Sequence, residues 1–126
     1  MNFEKVVFGF FITVALTLNF GFWTGQIDVP AHHNGAELVA ALIVSLIATV
    51  LKFGDRTQLG AVHLATSLVA DLQLIVACGL WVWAAQTAEG MTGAHIAVIV
   101  SMSGGALVAN LISVVLMISE IVQFRR

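Results

Sequence analysis

Charge is the scarcest commodity in this chain. Only 10% of its 126 residues are Asp, Glu, Lys or Arg, and 60% are apolar. A soluble domain carries about 25% charged and about 45–50% apolar residues, so the chain lacks the polar surface that a water-soluble globule needs. Its single cysteine, Cys78, excludes an internal disulfide and falls within an apolar run, where it reads as a small buried hydrophobe. A net charge of −2 leaves no basic face for nucleic acid. The motifs of soluble catalysis are missing too: there is no G-x-S-x-G, no phosphate-cradling glycine loop and no H-E-x-x-H. No enzyme activity and no cofactor are expected. A potassium-type TVGYG filter is also absent, so any ion filter must be built from side chains or constrictions.

What is present is long apolar runs, and the mean hydropathy reaches +1.01. Four segments, at about 4–24, 36–53, 59–85 and 93–123, are long enough to cross about 30 Å of hydrocarbon at about 1.5 Å per residue. The first resembles a secretory signal only in having Lys5 before it. Its apolar run is too long for a signal core, and "DVPAHHNGA" offers no small-x-small cleavage site, so it reads as a retained helix. The expected fold is all-α: an integral membrane four-helix bundle forming a single transmembrane domain over residues 1–126.

The basic residues orient it. Lys5, Lys52, Arg56, Arg125 and Arg126 all fall on one side, whereas "GQIDVPAHHNG" and "AQTAEGMTG" contain neither lysine nor arginine. The positive-inside rule then places both termini in the cytoplasm of a bacterial inner membrane. Trp23, Trp81 and Trp83 fall at the outer ends of spans one and three, where interfacial rings belong. "WTGQ" and "WAAQ" close those spans, while "NGAEL" and "TGAHI" open spans two and four. This echo points to two parallel helical hairpins.

Small residues recur at every fourth position, the spacing that lets membrane helices approach closely. Span one has Gly9, Thr13, Thr17, Gly21 and Gly25; span four has Ser101, Gly105, Ala109 and Ser113; span two has Ala41, Ser45 and Thr49. They read as packing seams, and the thin bundle they build is expected to form a homo-oligomer or to bind a larger membrane-protein partner within the lipid bilayer.

The polar residues inside the spans carry the functional reading. Asp71 lies in the middle of span three, and an acid at that depth is costly and functional by default. His63 and Ser67 share its helical stripe, with Cys78 further along and Thr66 and Gln73 on a neighbouring face. Span four adds His95, Asn110, Ser113 and Glu120 in one arc, and span two adds Glu37, Ser45, Thr49 and Lys52 in another. Converging arcs would line a track for protons or monovalent cations from Glu37 and His95 outside to His63 and Glu120 inside. Asp71 would be its central acceptor, with Asn110 and Gln73 supplying neutral oxygens.

Structural roles compete for the same residues. Asp71 is equally fit to pin helix register. Asn34 with Glu37, and Thr92 with His95, have capping-box spacing. Lys52, Arg56, Glu4 and Glu120 lie where long side chains snorkel. His32 and His33, beside Asp28 and Glu37, lack the H-x3-H or C-x2-C spacing of a closed site, so no metal is expected. The alternative function is an accessory or assembly subunit with no flux of its own.

Overall fold

The computed structural model describes residues 3–124. They form four long α-helices, α1 (Phe3–Trp23), α2 (Gly35–Lys52), α3 (Gln58–Gln86) and α4 (Gly93–Phe124), with a short 3-10 turn at Pro30–His32 between the first two. All four are long and apolar enough to cross a membrane, and their ends lie within about two residues of the expected spans. Arg125 and Arg126 lie outside the described residues.

The helices run up, down, up and down. Each packs on its sequence neighbours, and α4 closes the ring against α1. Apolar and small residues at intervals of three and four put one stripe of each helix inside: Phe8, Ile12, Ala15, Asn19 and Phe22 on α1, for instance. Counted from their start signals, α2 and α4 bury corresponding positions. Leu38, Ala41, Ser45, Ala48 and Lys52 match Ile96, Ile99, Ser103, Ala106 and Asn110.

The bundle is apolar outside as well as in its core. Its outer face carries Phe10, Ile43, Leu72, Val108 and Ile121, all more than half exposed, and its interior sets hydroxyls, amides and an acid among apolar side chains. Such a large apolar exterior is suited to lipid and unsuited to water. This is a multi-pass membrane protein.

The connections are tight. Gly25 (φ 102°) follows the last turn of α1 in the left-handed conformation that ends helices, and a Cβ there would meet the His32 side chain. Asn34 caps α2 by accepting from the Ala36 N–H at 2.9 Å, and Thr57 caps α3 by accepting from the Gly60 N–H at 3.0 Å. At the start of α4, Thr92 and His95 close a reciprocal box: His95 N–H donates to Thr92 Oγ1 at 3.2 Å, and Thr92 N–H donates to His95 Nδ1 at 3.3 Å. A Cβ on Gly93 would collide with the Asp28 carbonyl, so the first connection lies directly against the head of α4.

Candidate functional site

Asp71 is tied across the bundle to α2. Ser45 and Thr49 stand one turn apart and face it together: Ser45 Oγ donates to Oδ1 at 2.7 Å, and Thr49 Oγ1 donates to Oδ2 at 2.5 Å. All three side chains are buried, and the acid is only 5% exposed. Thr49 Oγ1 also lies 3.0 Å from the Ser45 carbonyl of its own helix, a second acceptor for the same proton. Among the described residues, both bonding partners of Asp71 are hydroxyls, and neither brings a positive charge.

A second polar group lies nearer the basic end of the bundle. Ser113 Oγ of α4 is 2.6 Å from Thr66 Oγ1 and 3.3 Å from His63 Nδ1. His63 is 1% exposed and stacks edge-on against Phe8, with ring centroids 5.1 Å apart. About 12 Å of helical rise separates His63 from Asp71 on α3, and Ser67 lies between them with its hydroxyl buried and unpartnered.

Ser67 is one of four such residues. Both amide atoms of Asn19 and of Asn110, and Oε1 of Gln73, are likewise buried without a hydrogen-bond partner. Gln73 is accommodated because Gly105 has no side chain to displace its amide. Ser67 and Gln73 lie within about 6 Å of Asp71 by helical rise along α3, and the Gly105–Gln73 and Thr66–Ser113 contacts bring Asn110 to a similar depth. A polar atom unpaired in a membrane interior costs several kcal/mol, and sites of this kind hold ordered water or an ion.

The polar interior opens into a cavity of about 350 Å³ at the basic end, lined by Lys5, Phe8, Gly9, Lys52, His63, Met117 and Glu120, among others. Lys5 pairs with Glu120 across the α1–α4 seam. Lys52 is only 8% exposed, with its ammonium 4.2 Å above the Phe8 ring and 3.5 Å from Asp55 Oδ2. Asp55 sits in the connection outside the spans. The Thr57 hydroxyl and N–H bonds, and then the nearby Lys52, hold its carboxyl below the ordinary value of 3.8.

Towards the tryptophan end the interior turns apolar. Phe22, Leu38, Leu74, Ile96, Ile99 and Val100 are all fully or almost fully buried in one cluster. The residues expected at the outer mouth lie away from the Asp71 group. His95 caps its own helix and packs on Trp83 at 5.1 Å, and Glu37 fills the space beside Gly21. Cys78 lines an apolar groove between α2 and α3 with Trp81. His33 reaches back to the end of α1, its Nδ1 2.5 Å from the Phe22 carbonyl and its Nε2 2.8 Å from the Gln26 carbonyl, while His32 Nδ1 accepts from the Gln26 N–H at 3.0 Å. Both histidines of the pair therefore serve the backbone. No group of three or more metal-ligating His, Cys, Asp or Glu residues occurs among the described residues.

The small-residue seams divide in the same way. Gly9 packs on Met117, Gly21 on Glu37 and Gly105 on Gln73, and Ala109 is buried, so these four are used inside the bundle. Thr13, Thr17 and Ser101 face outward.

Asn19 escaped the sequence reading, although a lone asparagine within "ALTLNFGFW" was a visible signal. Ser45 and Thr49 were placed on an arc of span two, yet their pairing with Asp71 depends on the relative height of two helices. No curated protein and no solved structure matches this chain. Residues 32–121, which span α2, α3 and most of α4, match the family model of DUF6394, a family of unknown function, and the chain belongs to that family.

Proposed function

We propose that the protein moves protons or monovalent cations through a polar half-pathway within the bundle. The path enters at the cavity beside Lys52 and Glu120, passes His63, Ser113 and Ser67, and ends at Asp71 with Asn110 and Gln73 at neighbouring depths. The basic end faces the cytoplasm of a bacterial inner membrane, by the positive-inside rule applied to Lys5, Lys52 and Arg56. Beyond Asp71, the apolar layer of Phe22, Leu38, Leu74 and Ile96 is the barrier that opens for flux, as hydrophobic constrictions do in channels.

One observation carries this reading. Among the described residues, Ser67, Asn110 and the buried Oε1 of Gln73 have no hydrogen-bond partner and flank a buried acid whose bonding partners are hydroxyls. A bundle evolved for packing alone would fill those positions with alanine or leucine, since unpaired polar atoms destabilise it. The test is flux in proteoliposomes under an imposed gradient. Conductance that survives Asp71→Asn unchanged removes Asp71 from the path.

The apolar layer also favours a second reading, an accessory subunit of a larger membrane complex. Thr13, Thr17 and Ser101 then offer close-approach positions on its outward faces. A silent wild-type protein that copurifies with a stoichiometric partner in mild detergent establishes that role instead.

A further inference from the structure

The cavity at the basic end has a feature that ion movement does not require. Lys52 buries more than nine-tenths of its surface at the boundary where α2 ends, yet among the described residues its carboxylate contact is 3.5 Å long. Asp55 takes the hydroxyl and N–H of Thr57 on Oδ1 and Lys52 on Oδ2, and the 3.5 Å length of the Lys52 contact leaves its ammonium room for a closer anion from the cavity side. The Phe8 ring covers one side of the ammonium. Lys52 lines the cavity, whose remaining polar wall is His63 and the Lys5–Glu120 pair. Among the described residues, Lys5 and Glu120 offset each other, and Lys52 is the remaining cation of the wall.

The rest of the wall is apolar and open to the bundle exterior. Val6 and Ile121 are each about half exposed, and Gly9 and Met117 form the floor between α1 and α4. The volume of about 350 Å³ is far larger than a water molecule or a bare ion needs. A charged inner wall beneath an apolar slot that faces hydrocarbon is the shape of one kind of ligand: an amphiphile with an anionic head and an acyl tail. Anionic lipid head groups are bound in basic pockets of this kind between membrane helices.

We propose that this cavity binds an anionic phospholipid. Its phosphate sits against the Lys52 ammonium, and an acyl chain lies over Gly9 between Val6 and Ile121. The site stands whether or not ions pass Asp71, because it rests on Lys52, the cavity and its lipid-facing slot alone.

Native mass spectrometry of the full-length protein, released from detergent with defined lipids, tests it. Phosphatidylglycerol is expected to remain bound at one copy per chain where phosphatidylcholine is lost. Lys52→Gln is expected to weaken that retention about tenfold or more, as loss of a charge-assisted bond does, and Lys52→Arg to restore it. Glu120→Gln removes the one acidic wall residue and is expected to tighten binding, which provides a reading even if Lys52→Gln fails to fold. Equal retention of the two lipids overturns the proposal. So does a folded Lys52→Gln protein that binds as wild type, or a Glu120→Gln protein that binds no more tightly. Displacement of the lipid by millimolar inorganic phosphate assigns the site to a free anion and equally overturns it.

Discussion

Replacing Thr49 by valine keeps the shape of the side chain and removes the hydroxyl that lies 2.5 Å from Asp71 Oδ2. The acid keeps Ser45 on its other oxygen, so one bond is lost and one buried acceptor atom is left unpaired. Replacing Asp71 by leucine has a different balance. Thr49 falls back on the Ser45 carbonyl, 3.0 Å away, and only the Ser45 hydroxyl is stranded. Hydrogen bonds between membrane helices average about 0.6 kcal/mol in double-mutant cycles and reach about 1.7. The short contact and the burial of both partners put this one in the upper part of that range, about 1–1.7 kcal/mol of coupling. The cycle of Thr49→Val, Asp71→Leu and the double variant measures it, with folded fraction followed by circular dichroism during titration with a denaturing detergent. Once Asp71 is gone, the valine substitution should cost almost nothing further. Two substitutions that add within about 0.3 kcal/mol would refute the coupling, and with it the claim that this contact joins α2 to α3.

Three further outcomes follow from the same structure. His33→Ala releases the Phe22 and Gln26 carbonyls at the end of α1. Hydrogen exchange at the Thr24 and Gln26 amides is expected to quicken about tenfold, since each 1.4 kcal/mol of lost protection is a factor of ten; unchanged exchange contradicts the clamp. The carboxyl of Asp55 is held below its ordinary range by the Thr57 bonds, so its contribution to stability is complete above about pH 4 and is lost as the pH falls through the lowered folded value. Exchange at the first turn of α3 is therefore expected to quicken on acidification below about pH 4, and Asp55→Asn is expected to remove that dependence. His95→Gln leaves Asp71 and its partners untouched, so it should preserve flux while loosening the first turn of α4.

The spans, the connections and the end of the bundle that carries the lysines were legible because they depend on local composition: apolar length, a helix cap, the position of a cation. Thr92 with His95 shows how far local spacing reaches, since a three-residue interval alone identified a cap that the structure forms in both directions. The site was legible only in part. Helical periodicity put His63, Ser67 and Asp71 on one stripe, and all three are buried. Which residues face that stripe from other helices depends on their rotation and height, and one sequence does not fix these. Hence Ser45 and Thr49 were placed on an arc without a partner, and the cap and the Trp83 contact that His95 makes at the head of α4 were not both foreseen. Lys52 shows the same limit. Near a membrane boundary a lysine reads as a snorkelling side chain, and only the packing of α1 against α2 shows its stem buried beside Phe8.

The decisive measurement is ion flux through the reconstituted protein, with a pH-sensitive or cation-sensitive dye inside the vesicles and an imposed gradient. Wild type, Asp71→Asn and His95→Gln are compared at equal folded protein. The expected result is conduction by wild type and by His95→Gln, with a fall of about tenfold or more for Asp71→Asn, corresponding to about 1.4 kcal/mol added to the barrier. Equal conduction by wild type and Asp71→Asn contradicts the polar half-pathway, and so does a wild-type protein that conducts nothing.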